Sequence, residues 1–310
     1  MNEFELIARL TNGLPTPQGV VTGVGDDCAV LDLGVPGFYH LLKTDAVVEG
    51  VHFTADTPPE KIGRKALARC LSDVAAMAGV PMHALVTLGL PAHHDTHRIE
   101  AMYQGLRACA EQFHVAIVGG ETTTSTSGIW ISIALLGRVE THRVVHRRGA
   151  QVGDGLFVTG ELGGSLAGKH LDFEPRLAEA RWLAEHFPIH AMIDLSDGLA
   201  GDLRHLMNAA GLGAELLAEA IPISRAARRR HREIPEAKPP LEAALTDGED
   251  FELLFAVPPQ KAVPLVDAWK KAFPNLKLTC IGKVTAAPGI RIRRRKSVEP
   301  MDLHGYEHFA

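Results

Sequence analysis

The residues best suited to chemistry in this chain are carboxylates, which occur in loops, beside predicted strand ends and in one predicted helix. They are Asp26 and Asp27 in a glycine-rich loop, Asp45 after a strand, Asp73 in a helix, Glu121 after two glycines, and Asp194 with Asp197. In α/β proteins ligands collect outside strand ends, and Mg²⁺ prefers carboxylate and water oxygens together with substrate phosphates. Each acid taken alone is also compatible with a helix cap or a turn. The whole set predicts a polynuclear magnesium site.

The two commonest designs of nucleotide site are excluded. The chain has neither a Walker A lysine motif nor a G-x-G-x-x-G after a predicted strand. The segment VGGETTT at 118–124 offers a strand end, two glycines that permit close backbone approach to phosphate, and an acid that could hold a metal. The same pattern is also typical of an ordinary turn. Any ATP site in this chain must therefore be of another design.

Hydrophobic periodicity predicts the elements that position these residues. In the first half it predicts strands at 28–33, 39–44, 83–90, 115–118 and 129–139, helices at 59–78 and 95–113, and a loop at 119–128. In the second half it predicts strands at 156–159, 190–194, 251–257 and 276–284, and helices at 175–187, from 197 and at 259–273. The segment at 147–155 breaks the pattern. We therefore predict an α/β protein of two domains, residues 1–150 and 151–310.

Composition and charge narrow the class of protein. The chain has 310 residues, 46% of them hydrophobic and 22% charged, which suits two globular domains. The net charge is −5, and the basic runs at 225–232 and 291–296 lack interleaved aromatic residues, so we interpret them as solvated faces and expect no nucleic-acid partner. We find no signal-peptide pattern and no apolar stretch near the ~20 residues of a membrane helix. Four scattered cysteines without a C-x-x-C pair favour the cytoplasm.

Seven motifs in order along the chain resemble those of one enzyme family. They are GVGDDCAVL at 23–31, TDAVVEGVHF at 44–53, KAL at 65–67, LSDVAAM at 71–77, IDLSDGL at 193–199, GEDFELLF at 248–255 and GYEHF at 305–309. Together they resemble the thiamine-monophosphate kinase family over nearly the whole chain. So many motifs in one order make the resemblance highly specific.

The resemblance implies a reaction and a fold. The reaction is ATP-dependent phosphorylation of thiamine monophosphate to thiamine diphosphate, by direct in-line transfer assisted by Mg²⁺. The fold is the two-domain α/β fold, with some α+β character, of aminoimidazole ribonucleotide synthetase and selenophosphate synthetase. The resemblance also implies a homodimer that pairs through the amino-terminal sheets, with the nucleotide in a cleft lined by both domains or by the partner subunit.

The resemblance also assigns roles to individual residues. The positions that match metal ligands are Asp27, Thr44, Asp45, Asp73, Glu121, Asp194 and Asp197. The positions that match nucleotide contacts are Tyr103, Gly120, Glu121, Arg147 and Ser196. The positions that match contacts with the thiamine phosphate substrate are His52, Glu249 and Tyr306. No residue is expected to act as a general base, because the acceptor phosphate, with a second pKa of about 6, is already largely ionised.

Three residues depart from the family pattern. They are Lys43 where a small hydroxyl residue is expected, Glu121 in place of Asp, and Asp247 in place of Gly. Lys43 would place an ammonium where a hydroxyl could help to bind a metal, so one ion is absent or replaced, and the number of ions stays open. Two alternatives also stay open. One is another ATP enzyme of the superfamily, either amidine-forming or selenophosphate synthetase-like, although no cysteine precedes Cys28. The other is a catalytically silent ATP-binding regulatory protein.

Overall fold

The first half of the chain forms a six-stranded sheet. The structure is a computed structural model, and it describes residues 3–295 and 297–307. The strands are β1 (Val20–Thr22), β2 (Ala29–Leu31), β3 (Phe38–Val48), β4 (Val80–Leu90), β5 (Ala116–Thr124) and β6 (Trp130–Glu140). They lie in the order β1-β2-β3-β6-β4-β5, and only the β4–β5 pair is parallel. The helices of this half are α1 (Glu3–Thr11), α2 (Pro59–Ala76) and α3 (Thr96–Gln112).

Strand β3 is longer than the sequence predicts. We expected a strand at 39–44 with Asp45 beyond its end, but β3 continues to Val48, so Asp45 lies inside it. The reason is the partner strand, since β3 and β6 are both eleven residues long and pair continuously from Phe38 opposite Glu140 to Val48 opposite Trp130. Lys43 and Asp45 share a side of β3 with the buried Leu41.

Strand β5 corrects a second expectation. The loop predicted at 119–128 is strand as far as Thr124, because Gly119–Thr124 pair in parallel with β4. A side chain at Gly120 would lie 1.8 Å from the Val86 carbonyl oxygen, so close strand packing requires this glycine. Gly120 and Glu121 therefore belong to the edge of the sheet.

One side of the first sheet is covered by helices and the other is open. The covered side packs against α2 and α3, which cross so closely that a Cβ at Gly63 would lie 1.8 Å from the Met102 carbonyl oxygen. On the other side Leu42, Leu85 and Val118 are exposed, with 46%, 48% and 60% of their surface accessible. We call this side the open face.

The second half forms a seven-stranded sheet. Its strands are β7 (Gly155–Thr159), β8 (Ala191–Asp194), β9 (Gly213–Leu217), β10 (Leu253–Val257), β11 (Leu278–Thr285), β12 (Gly289–Arg294) and β13 (Ser297–Pro300). They lie in the order β13-β12-β9-β11-β7-β10-β8. The helices are α4 (Lys169–Asp172), α5 (Leu177–His186), α6 (Leu199–Ala210), α7 (Arg225–Glu233), α8 (Pro240–Thr246) and α9 (Pro259–Ala272). The predicted boundary at residue 150 falls between β6 and β7.

Several short elements were not predicted: β1, β9, β12, β13, α4, α7 and α8. The basic run at 291–296 shows why, since part of it forms β12, in which Ile290 and Ile292 are buried between exposed arginines. The many charged residues of this run obscure the alternation of buried and exposed side chains that is typical of a strand. Among the described residues, every helix is too short or too polar to cross a membrane.

The carboxyl end of α2 packs into the second half of the chain. Ala75 and Ala76 are fully buried in a hydrophobic cluster with Phe157, Leu183 and Trp269. One helix therefore contributes side chains to both cores.

Candidate active site

Three carboxylates from both halves of the chain meet in one buried cluster. Asp27 comes from the loop before β2, Asp73 from α2 and Asp194 from the end of β8. One oxygen of each lies within 4.8 Å of one oxygen of the other two. The Ser72 hydroxyl donates a hydrogen bond of 2.6 Å to Asp194 Oδ2, which ties α2 to β8. We call Asp27, Asp73 and Asp194 the carboxylate cluster.

Burial makes this concentration of negative charge costly. Loss of hydration raises the pKa of Asp27 and Asp73, and it raises the pKa of Asp194 to about 7, with the neighbouring Asp27 charge adding to the effect. Two cations offset part of this cost. Arg147 Nη2 lies 2.6 Å from Asp27 Oδ1, and Lys43 Nζ lies 2.7 Å from Asp73 Oδ1.

The carboxylate cluster is suited to a hard divalent cation. Asp27 Oδ2 is buried and has no hydrogen-bond partner among the described residues. An unsatisfied buried carboxylate oxygen beside two other carboxylates is a strong reason for a ligand to be present. Oxygen-only ligands of this kind suit Mg²⁺ rather than Zn²⁺.

A pocket beside the carboxylate cluster contains all three residues matched to the thiamine phosphate substrate. Among the residues that line it are His52, Arg69, Ser196, Asp197, Glu249 and Tyr306. Two loops build one wall, because the Glu249 N–H donates to the Ser196 carbonyl oxygen at 2.7 Å and the Tyr306 N–H donates to the Asp197 carbonyl oxygen at 2.9 Å. Ser196 and Asp197 follow Asp194 by two and three residues, so the pocket and the cluster are adjacent.

Glu249 is held in place by Lys65 and His170. Its Oε2 lies 2.6 Å from Lys65 Nζ and 2.9 Å from His170 Nδ1, and its backbone has a φ of 62°. Burial acts to raise the pKa of Glu249, but the hydrogen bond from His170 and the charge of Lys65 outweigh it and lower the pKa to about 2. Left-handed backbone at a non-glycine residue is strained and is typical of functional sites.

His52 is also fixed at the pocket wall. Its Nδ1 accepts a hydrogen bond of 3.1 Å from the Val48 N–H, and its carbonyl oxygen accepts one of 2.6 Å from Lys65 Nζ. Burial, together with the nearby Arg69 charge, lowers the pKa of His52 to about 4. The ring is therefore neutral near pH 7 and can donate through Nε2.

Other predicted site residues lie outside the cluster, at different distances from it. Asp45 lies near it and pairs with Arg69, since Oδ2 is 3.0 Å from Nε. Thr44 is exposed on the opposite side of β3, the open face. Glu121 is exposed on β5, where its carboxylate accepts a hydrogen bond of 2.9 Å from the Thr122 N–H. Tyr103 lines a separate surface pocket beside the start of β5.

Asp247, the third residue that departs from the family pattern, is hydrogen-bonded by neighbouring residues. It is buried, and its Oδ2 accepts hydrogen bonds from the Gly164 N–H at 3.0 Å and from Arg230 at 2.8 Å. It is therefore satisfied by its own half of the chain.

Sequence reasoning assigned no role to Lys65, Arg69, Ser72 or His170. Lys65 and Ser72 lie inside the motifs KAL and LSDVAAM, on the buried side of a predicted helix. A buried lysine and a buried serine need polar partners, and this requirement was the signal in the sequence that could have identified them. Asp26 was noted only as an acid, but it binds the Arg147 N–H at 3.1 Å and His146 Nδ1 at 2.8 Å.

Comparison with known proteins assigns the chain to a class. Residues 25–139 match the model of the AIR synthase related protein amino-terminal domain, and residues 150–295 match that of the carboxyl-terminal domain. The chain belongs to the AIR synthase related proteins.

Full-length relatives define the family within that class. The chain is 41% identical to the thiamine-monophosphate kinase of Rhodopirellula baltica, over 88% of this chain and 86% of the relative. It is 32% identical to that of Bacillus subtilis, with both chains fully covered. The solved structure described as AaThiL complexed with AMPPCP and TMP superposes with a TM-score of 0.84 at 31% identity, over 99% of this chain and 97% of that one. This chain is thus a member of the thiamine-monophosphate kinase family.

Proposed function

We propose that this chain transfers a phosphoryl group from ATP to thiamine monophosphate, forming thiamine diphosphate and ADP. The observation that carries the proposal is the adjacency of the carboxylate cluster to the pocket of His52, Glu249 and Tyr306. The carboxylate cluster receives the phosphates, and the pocket receives the cationic thiamine ring. The similarity to thiamine-monophosphate kinases over the whole chain supports the same assignment.

Magnesium is the ion we assign to the carboxylate cluster, with Asp27, Asp73 and Asp194 as its nearest ligands. When bound, it supplies neutralising charge to the phosphates and favours in-line geometry. Asp45 and Asp197 lie close enough to the two parts of the site to add water-mediated or direct contacts. Arg147, held against Asp27 and partly exposed, adds fixed positive charge for the ATP phosphates. No side chain needs to remove a proton from the acceptor.

The pocket positions the acceptor. Tyr306 is about half exposed and offers an aromatic face on which the thiamine ring stacks, with a cation–π contribution from the ring charge. The Glu249 carboxylate, fixed by Lys65 and His170, presents negative charge or an acceptor for the ring amine. His52 Nε2 is a neutral hydrogen-bond donor at the pocket wall.

We further propose a homodimer that pairs through the open face. The exposed Leu42, Leu85 and Val118 form apolar surface of the kind found at permanent interfaces. Thr44 and Glu121 lie on that side, and Gly120 precedes Glu121 at the edge of the sheet. Tyr103 lies on α3, beside the start of the edge strand β5, and all four residues are apart from the carboxylate cluster. A nucleotide cleft lined partly by the partner subunit accounts for their separation. The amino-terminal domain, residues 1–150, would then carry both dimerisation and nucleotide binding, and residues 151–310 the second domain.

A cytoplasmic location is part of the same proposal. All four cysteines are free thiols, and three of them are buried. This usage agrees with a reducing compartment.

The decisive experiment is product identification. Purified protein is incubated with ATP, Mg²⁺ and a panel of phosphorylated acceptors, and the products are identified by mass. We expect thiamine diphosphate and ADP from thiamine monophosphate alone. Binding of ATP without turnover of any acceptor would instead identify a silent ATP-binding protein.

A further inference from the structure

Lys43 places an ammonium group inside the acidic site. Its Nζ lies 2.7 Å from Asp73 Oδ1, with 24% of the lysine side chain and 9% of the aspartate side chain accessible. The position follows from β3, because Lys43 and Asp45 lie on the side of the strand that faces α2. Lys43 is therefore a fixed part of the site.

The ammonium acts on the whole site. The positive charge of Lys43 interacts with the negative charges of Asp27 and Asp194 as well as with that of its partner Asp73. Asp45 is a second carboxylate whose charge acts on Lys43. Arg147 is the counter-charge on the other side of the site, at Asp27. Asp73 and Asp27 thus each have one oxygen, Oδ1, beside a resident cation, and Asp27 Oδ2 is a buried oxygen that has no hydrogen-bond partner among the described residues.

A metal ion and this ammonium cannot share one oxygen. A Mg²⁺ ion would lie about 2.1 Å from a ligating carboxylate oxygen, which would bring it within about 5 Å of an ammonium bound to the same oxygen. At that distance two cations repel strongly in a poorly hydrated site. Either Lys43 leaves Asp73, or the metal stays away from Asp73 Oδ1.

We propose that the Lys43 ammonium is a built-in substitute for one divalent ion, so that the site binds one ion fewer than it would with a small hydroxyl residue at position 43. Asp73 keeps only Oδ2 for a metal, and the remaining ions gather on the side of Asp27 and Asp194. This inference rests on the proposed phosphoryl-transfer site, but it concerns ion number rather than turnover.

Counting bound ions tests the inference without catalysis. Mn²⁺ is titrated into the protein with the non-hydrolysable nucleotide AMPPCP, and bound ions per subunit are counted by electron paramagnetic resonance of the free ion. We expect Lys43→Ser to bind one more Mn²⁺ than the wild type and Lys43→Arg to bind the same number as the wild type. Lys61→Ser is the matched control, since Lys61 pairs with Asp172 at the surface, and its count should equal that of the wild type.

An equal count in wild type and folded Lys43→Ser overturns the inference. If Lys43→Ser does not fold, wild-type crystals soaked with Mn²⁺ and AMPPCP decide the matter through anomalous scattering. We expect Mn²⁺ peaks near Asp27 and Asp194 and none within ligand distance of Asp73 Oδ1, whereas a peak bound to that oxygen overturns the inference. Absence of turnover with the expected ion count would contradict the proposed function alone.

Discussion

At the scale of single residues, Asp73 is the carboxylate that the structure constrains most. It is buried on α2, it faces Lys43, and it lies beside Asp27 and Asp194. We expect Asp73→Asn to lower kcat by at least about 100-fold, because an amide cannot balance the cations of this site. Asp172→Asn, at the surface, is the control and should keep wild-type turnover. Near-normal turnover of Asp73→Asn with a magnesium requirement would remove Asp73 from the metal site.

Tyr306 belongs to the acceptor side of the site. We expect Tyr306→Ala to raise the KM for thiamine monophosphate by roughly 10-fold, which corresponds to the loss of about 1–2 kcal/mol of stacking and cation–π energy. The KM for ATP should change much less. Tyr306→Phe keeps the aromatic face and should restore most of the affinity. Steady-state kinetics would contradict the assignment if the KM for ATP rose instead.

Asp194 makes metal binding dependent on pH. Its pKa is raised to about 7 by burial and by the Asp27 charge, so the folded protein holds a proton that the unfolded chain would release near 3.8. Metal-free protein should therefore lose stability as pH rises from about 3.8 to about 7, whereas Mg²⁺ must displace that proton and should stabilise more at higher pH.

Thermal unfolding measures this effect. We expect the increase in Tm caused by Mg²⁺ to be larger at about pH 8 than at about pH 5.5. Asp194→Asn should lose most of that difference. The same increase at both pH values in the wild type would mean that the Asp194 proton does not compete with the metal.

At the scale of elements, helix periodicity was the most informative signal. A helix at 59–78 was predicted, and α2 is Pro59–Ala76. The same pattern could not reveal the side-chain partners of Lys65 and Ser72 on that helix, because these partners, His170, Glu249 and Asp194, lie more than 100 residues away along the chain. Motifs locate site residues along the chain, whereas only the fold determines which of them meet.

Strand ends were the least predictable feature. Asp45 in the middle of β3 resembles a strand terminator, yet the uninterrupted pairing with β6 and the nearby Arg69 keep it within the strand. Gly119 and Gly120 likewise indicate a turn in the sequence. In the structure these glycines instead permit β5 to pack closely against β4. The positions of these strand ends are determined by neighbouring strands and by charged residues that are distant in the sequence, so the local sequence does not predict them.

The crossing of α2 and α3 provides a test at this scale. A methyl group at Gly63 would lie 1.8 Å from the Met102 carbonyl oxygen, so the helices must separate. We expect Gly63→Ala to lower the free energy of unfolding by about 1–3 kcal/mol. Chemical denaturation measures it, with Gln104→Ala, at an exposed position of α3, as the control. Unchanged stability of Gly63→Ala would mean that the two helices can move apart freely.

At the scale of the whole molecule, the open face raises the question of which subunit each residue serves. Glu121 is exposed at the edge of the first sheet and lies outside the carboxylate cluster of its own chain. If it serves the partner subunit, inactive Asp73→Asn and inactive Glu121→Gln chains should complement each other in mixed dimers.

Co-expression of the two variants tests this arrangement. We expect about a quarter of wild-type turnover, because half of the dimers are mixed and each mixed dimer has one intact site. Glu121→Asp keeps the charge and should retain substantial activity. Failure of the mixture to recover turnover would place Glu121 in its own subunit's site or outside any site, and full activity of Glu121→Gln alone would exclude it as a ligand.

Helix α2 has a consequence for how the two substrates bind. Lys65 at the acceptor pocket and Asp73 at the phosphate site are eight residues apart on one helix, so they are separated by about 12 Å along a rigid axis. Domain movement cannot change that spacing, but it would carry Glu249 and Asp194 away from α2 together, since both belong to the second half. A ligand that draws either residue toward α2 therefore draws the other as well. ATP and thiamine monophosphate should each increase the affinity for the other by the same factor.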